Sequence, residues 1–486
     1  MFNKIKFNIN TTFVIISSII ILSFIYKAFP LIPFDPVDGK GDSTGRIIHI
    51  IRCFPFDYSW VTSTIWLPFY FILYSIPLHL SFTYNSLIIF QVFISSLLSA
   101  IVFCSAPRTM SKFSQVLCIL IISLMPLNTM LSRSLLSEIS FILFVFISGY
   151  FFTKFDDNRK KSYYLYISII SLLIVSMLRY EGWILYISYI FFIFYKTKSV
   201  KYILIASFSF AACVYFVEQS LIEAGQGHFS GILDNYLETV PLIKKFGHAA
   251  LFSKLKLIAK FHFQNSGLFF LLLPLAFWHA LKRGIDIYLY FFIVLWLSLF
   301  FGTISDSVAL FSRYWFPSLT LLIFLIVRSI DSLPKNIHLV VLPLTLMLQL
   351  FYAPYIHDLS REVPSNSAHN FLTNSRAKLV YIDELQSNYV FYAFKVHNLF
   401  SEYKYDVVHY NDNLSLIPDP MEFRKRLEND FLEKFQSNNF DHLVFFENSI
   451  LYNHIQEKQI IQLEKNWRLV FRDKRVQIFE RVNPTS

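Results

Sequence analysis

Charge is what this sequence has least of. Only 16% of its 486 residues are Asp, Glu, Lys or Arg, where a soluble globular chain carries about 25%. That shortfall excludes an ordinary soluble enzyme and a disordered polyelectrolyte. Glycine (12) and proline (18) are scarce as well, which excludes collagen-like repeats and low-complexity linkers. Four cysteines, Cys53, Cys104, Cys118 and Cys213, do not make a disulfide framework. No CxxC or His/Cys cluster has zinc spacing, so no structural metal site is expected. What is abundant is apolar: 55% of residues are hydrophobic and 19% aromatic, with 55 Phe and 28 Tyr. The mean hydropathy is +0.48. The chain reads as a polytopic membrane protein.

Its charges are unevenly spread. Residues 1–356 hold 27 Lys+Arg and 15 Asp+Glu, whereas the 130 residues of 357–486 hold 16 and 18. The first part therefore carries +12 and the last quarter −2, giving the net +10, and the last quarter has the charge density of an aqueous domain. In a soluble protein a pI near 9.1 would suggest nucleic acid. Here it reads as loop lysines facing anionic lipid, with no nucleic-acid partner.

A membrane-crossing helix needs about 20 mainly apolar residues. Clear runs lie at about 12–33, 85–105, 114–131, 135–153, 163–179, 199–217, 266–281, 286–303, 311–328 and 337–356. Residues 182–195 are short for a span, and 64–82 carry Pro68 and Pro77. The positive-inside rule arbitrates. Basic loops at 108–112, 154–161, 196–201, 282–283 and 328–335 face the cytoplasm together only if 182–195 crosses and 64–82 does not. Residues 64–82 are therefore expected to form an interfacial or re-entrant hairpin. The expected architecture is a mainly α helical bundle of about 11 spans, residues 1–356, with the N-terminus inside. The first span is a signal anchor, because no small-x-small site follows it. Residues 34–84 and 218–265 become exoplasmic loops. Residues 357–486 become an exoplasmic soluble domain, α/β or α+β, with strands at 378–382, 441–446, 467–471 and 475–482 and a helix near 421–438.

Charges beside spans are costly, and here they gather on the exoplasmic side. Asp35, Asp38 and Asp42 follow the first span in FDPVDGKGDSTGRI; Arg133 and Glu138 bracket SRSLLSE; Arg179 and Glu181 make RYEG; Asp306 and Arg313 lie in SDSVALFSRYWFP. Each has a plain structural reading: Asp35 and Asp38 as turn formers, Asp42 as a helix cap, Arg133 with Glu138 and Arg179 with Glu181 as ion pairs, Asp306 as solvated loop, Arg313 as an interface anchor. The lysines of 218–265 read as a solvated face, and His49, His79 and His262 as structural. As a set the residues suit one chemistry. A carboxylate at the surface can take a proton from an acceptor, and arginines can bind a lipid phosphate and stabilise the charge that leaves the sugar.

The order of a signal-anchor span, a loop with GDSTGRI and Trp66-x-Pro68-x-Tyr70, an SR-x5-E turn, an R-x-EG turn, an RY-x2-P motif and a terminal soluble domain resembles the GT-C integral-membrane glycosyltransferases. The nearest group is that of the protein O-mannosyltransferases and lipid A aminoarabinose transferases. The resemblance implies a hexosyl- or pentosyltransferase that moves a sugar, with inversion, from a polyprenyl-phosphate donor to a glycan, lipid or protein acceptor. It implies Asp42 as the catalytic base and matches Arg133, Glu138, Arg179 and Glu181 to the family's arginines and second acidic residue. Asp306 and Arg313, from the charge pattern itself, complete the expected substrate-binding set. The first loop departs from the mannosyltransferase pattern, with no Asp-Glu pair and with WLPFY for a Pro-Pro-Leu segment. A divalent metal is compatible with the resemblance but required by no residue. The expected location is a bacterial inner membrane, with the active side periplasmic. Two other classes stay open: a flippase or transporter for lipid-linked sugars, and a ligase or polymerase using a diphosphate-linked glycan. The transporter would need polar residues at mid-depth, of which Gln91 and Gln349 are the clearest.

Overall fold

The computed structural model describes residues 9–28, 46–51, 67–107, 109–132, 134–223, 251–266, 284–305, 312–331, 365–382, 398–408, 439–446, 467–473 and 476–482, with isolated residues between these stretches. They fall into two compact units. One runs from the first helix to residue 358; the other runs from 359 onward and takes in 46–48 and 82–84.

The first unit is all helix: α1 (Ile9–Ala28), α2 (Phe69–Leu80), α3 (Tyr84–Ser105), α4 (Lys112–Leu124), α5 (Pro126–Leu131), α6 (Glu138–Asp157), α7 (Tyr163–Ser176), α8 (Glu181–Thr197), α9 (Val200–Glu223), α10 (Leu251–Ser266), α11 (Ile287–Ile304) and α12 (Phe316–Ile330). Among the described residues five helices are long and apolar enough to cross a membrane. The protein is a multi-pass membrane protein, and its helices α6, α7, α8, α11 and α12 pack on one another. The outward residues of α8, α9 and α11 are apolar too, such as Phe191, Phe208 and Phe301, because the solvent there is lipid. Polar side chains turn inward. Lys27, near the end of α1, is buried and donates to Ser95 Oγ at 2.7 Å and to the Ser95 carbonyl at 3.1 Å. Ser95 in turn donates to Asn128 at 3.1 Å. One turn back, Ser23, Ser99 and Ser123 form a hydroxyl chain, and such small polar residues let helices approach closely in lipid.

Two stretches depart from expectation. Residues 69–80 are one continuous helix rather than a hairpin. Pro77 removes a single backbone donor, and the chain does not reverse there. At 12 residues α2 is about 18 Å long, short of the roughly 30 Å hydrocarbon core. The run 114–131 is two helices, because Met125, forced by Pro126 out of the helical region, sits at φ −52, ψ 125. The short run 182–195 lies wholly inside the 17-residue helix α8.

The second unit is built on a five-stranded mixed sheet of order β2-β1-β3-β5-β4. It comprises β1 (Leu379–Ile382), β2 (Asp406–Val408), β3 (His442–Phe446), β4 (Trp467–Asp473) and β5 (Val476–Arg481), and α13 (Ser365–Asn374) precedes it. β1 pairs in parallel with β2 and β3, while β5 runs antiparallel to β3 and β4. Leu372, Val380, Ile382, Val444, Phe446, Val476 and Ile478 make its core. Four of the strands match the sequence pattern; β2, three residues long, has too little pattern to read.

Candidate functional site

The site grows from the starts of three helices. Glu138 opens α6, Arg179 and Glu181 frame the turn from α7 into α8, and Arg313 lies in a single 3₁₀ turn, Ser312–Trp315, that leads into α12. Each has a local reason for its place. Pro317 sits in the first turn of α12, where a missing N–H costs nothing. In the α7–α8 turn the Arg179 amide still bonds the Val175 carbonyl at 3.3 Å, and the Arg179 carbonyl accepts from Gly182 N at 3.0 Å. The turn is so tight that a Cβ on Gly182 would stand 2.4 Å from the Val175 carbonyl oxygen. That contact is why RYEG ends in glycine. Trp183 locks the turn by donating its indole N–H to the Ser176 carbonyl at 2.7 Å.

The part of WLPFY from Leu67 to Tyr70 packs under the same turn. Phe69 N donates to the Met177 carbonyl at 3.2 Å, and Leu67 is buried against Val217, Leu221, Tyr180 and Trp183. Tyr70 and Tyr74 stack at 4.3 Å. The Tyr74 hydroxyl lies 3.2 Å from Ser140 Oγ, two residues into α6 from Glu138.

Side chains from separate stretches of chain meet here. Arg179 forks onto Glu181, with Nε to Oε2 at 3.2 Å and an Nη to Oε1 at 2.8 Å. Its other Nη lies 2.8 Å from Glu138 Oε1 and 3.4 Å from Ser137 Oγ. Arg313 Nε is 3.8 Å from the same Glu138 oxygen. The Tyr314 ring has the Arg179 guanidinium 5.1 Å from its centre and the Arg313 guanidinium 5.1 Å as well. Glu138 is 1% exposed. Burying the Arg179 charge is costly, and Glu181 and Glu138, each 2.8 Å from it, offset that cost. The cluster is two anions and two cations under low-dielectric conditions, where each charge depends on its neighbours.

Four of the seven sequence-derived residues, Glu138, Arg179, Glu181 and Arg313, are thus in one place. Asp42, Arg133 and Asp306 lie outside the described residues, as do Asp35, Asp38 and Cys53. Ser137 and Tyr314 join the cluster without having been singled out; Tyr314 stood inside the RY-x2-P motif, while Ser137 left no signal. Of the 218–265 lysines, Lys254 departs from the solvated-face expectation. It is buried and donates to the Ile304 carbonyl at 3.3 Å, at the end of α11, where exposed carbonyls attract a cation. Among the described residues no three His, Cys, Asp or Glu side chains group to hold a metal ion. Glu138 and Glu181 could ligate a divalent cation only in competition with Arg179.

No protein-family model and no curated protein matches the sequence. Solved structures do match. ArnT from Cupriavidus metallidurans in the apo state superposes with a TM-score of 0.61 at 10% identity, over 97% of this chain and 98% of that one. ArnT from the same organism bound to undecaprenyl phosphate gives 0.59 at 10% identity, over 98% and 99%. The chain therefore shares the fold of ArnT over nearly its whole length.

Proposed function

We propose that the protein is an inverting glycosyltransferase that passes a sugar from a polyprenyl-phosphate carrier to an exoplasmic glycan, lipid or protein. The observation that supports it most is the junction of Arg179, Arg313, Glu138 and Glu181, in a fold whose ArnT representative has been solved with undecaprenyl phosphate bound. In the reaction the acceptor oxygen bonds to the anomeric carbon, the bond from that carbon to the phosphate oxygen breaks, and the electron pair leaves on the lipid phosphate. Asp42 takes the acceptor proton. Arg313 and Arg179 stabilise the negative charge as it grows on phosphate. Glu181 already occupies two donors of Arg179, so Arg179 is oriented by that carboxylate while it faces the phosphate. Arg133 and Asp306 complete the substrate contacts. The basic-loop distribution supports a periplasmic active side in a bacterial inner membrane.

The test is transfer by the purified, reconstituted protein from a radiolabelled polyprenyl-phosphate sugar to a mixture of membrane glycolipids, glycans and proteins. Label arriving on any of these with release of polyprenyl phosphate supports the reading. Movement of intact donor between vesicle leaflets without cleavage would replace it with the flippase, and use of a diphosphate-linked donor alone would replace it with the ligase.

A further inference from the structure

Helix α10 faces the wrong way for a helix in a water-exposed loop. Its inward side is largely polar. Lys254, His262, Asn265 and Ser266 are buried, Asn265 accepts from the Leu127 amide at 3.3 Å, and the His262 ring meets Trp315 edge-on at 5.2 Å. Its outward side is apolar and basic. Phe252 is 78% exposed, and Leu255 and Phe263 are exposed with it; Lys256 and Lys260, one turn apart, are exposed as well. At about 100° per residue Leu255, Phe252 and Phe263 share one sector and the two lysines fill the next. A face in water would not present Phe252, and a face deep in lipid would not present two lysines. The sign of charge is uniform too. From 239 to 285 the sequence has Lys244, Lys245, Lys254, Lys256, Lys260, Lys282 and Arg283 and no Asp or Glu.

We propose that α10 is a membrane-surface helix that docks on anionic phospholipid, with Phe252, Leu255 and Phe263 at the acyl boundary and Lys256 and Lys260 on headgroup phosphates. An apolar sector beside a lysine sector, on a helix too short and too charged to span, is how a helix lies in the interface. Its inner face touches Trp315, the last residue of the 3₁₀ turn that carries Arg313, so docking also steadies that turn. The proposal concerns bulk phospholipid and stands apart from sugar transfer.

The experiment uses the full chain with its four cysteines changed to serine and Phe252→Cys carrying an environment-sensitive fluorophore. It is reconstituted in vesicles of phosphatidylcholine alone or of a phosphatidylglycerol-rich mixture. The label is expected to be quenched by brominated acyl chains and shielded from iodide, more so with phosphatidylglycerol. Each lysine should contribute about fivefold to the docked population at low salt, the equivalent of about 1 kcal/mol. Lys256→Gln with Lys260→Gln, or high salt, should remove the phosphatidylglycerol dependence. A label open to iodide in both lipids overturns the proposal. So does equal lipid quenching in both, indifferent to the lysine changes, or a response only when polyprenyl phosphate is added. If the cysteine-free chain does not fold, native mass spectrometry of wild type and the double lysine variant decides. Unchanged retention of phosphatidylglycerol by the variant overturns the proposal, and reduced retention supports it.

Discussion

The two ends of α12 treat charge in opposite ways. At its last turn the described carboxylates, Asp331 and Asp286, close local circuits. Asp331 takes hydrogen bonds from Ser111 N at 2.9 Å, Ser111 Oγ at 2.7 Å and Ser114 Oγ at 2.6 Å. Asp286 caps α11 through Leu289 N at 2.9 Å and pairs with Arg328. These groups satisfy helix ends, and that is enough to explain them. At the first turn, Glu138 has two arginines within reach, yet neither of its oxygens receives a well-aligned hydrogen bond from a described residue. Its charge is matched by arginines brought from other stretches of the chain and not by a helix end.

The sharpest way to break this contrast is Asp42→Asn. Asn keeps the shape and caps a helix about as well as Asp, but it cannot take a proton. Transfer should fall about 10²- to 10⁴-fold with the protein folded and donor still bound, and Asp35→Asn and Asp38→Asn should be milder. Wild-type turnover by Asp42→Asn would remove the base assignment. Next in size is Arg179→Ala, expected to lower donor use about 10- to 150-fold, the cost of a lost charge-assisted contact. Arg179→Lys should recover only part of that, because the fork onto Glu181 is lost. Full activity in the Ala variant, at normal expression, would make Arg179 a structural partner and no more.

Smaller effects probe the scaffold. Gly182→Ala forces a methyl onto the Val175 carbonyl and should cost about 1–3 kcal/mol, read as a lower melting temperature in detergent. An unchanged melting temperature would mean that the turn relaxes at no cost. At the opposite end, Ser111→Ala should cost about 0.5–2 kcal/mol through loss of its cap on α4, with transfer per folded molecule unchanged. A catalytic defect there would erase the contrast between the ends.

Much of this was legible in the sequence because membranes make charge conspicuous. Seven polar residues stood out at span ends; Glu138, Arg179, Glu181 and Arg313 meet, while Asp42, Arg133 and Asp306 lie outside the described residues. The apolar runs gave the bundle, and alternation gave four strands of the sheet. What stayed hidden was direction. A run such as 114–131 has the same hydropathy whether or not Pro126 restarts the helix. Lys254 and Lys256 read alike as loop lysines, yet two residues' rotation buries one and exposes the other. Ser137 was invisible, since a serine in SRSLLSE has no pattern until Arg179 arrives from 42 residues away.

Gln91 bears on how anything reaches the site. Its side-chain amide donates to the Leu131 carbonyl at 2.9 Å and to the Leu136 carbonyl at 3.2 Å, and its oxygen accepts from Tyr74. Both N–H groups are spent holding the turn that ends at Glu138, so Gln91 has no donor to offer a solute passing along α3. It also sets a depth. Gln91 is seven residues into α3, about 10 Å along the helix axis, and the turn it holds is fixed at that level. About 10 Å of apolar helix then separates this turn from the start of α3. A water-borne sugar nucleotide would have to shed its hydration to descend so far. The proposed donor, a sugar on a lipid phosphate, would instead enter from the side, with its tail still in the bilayer.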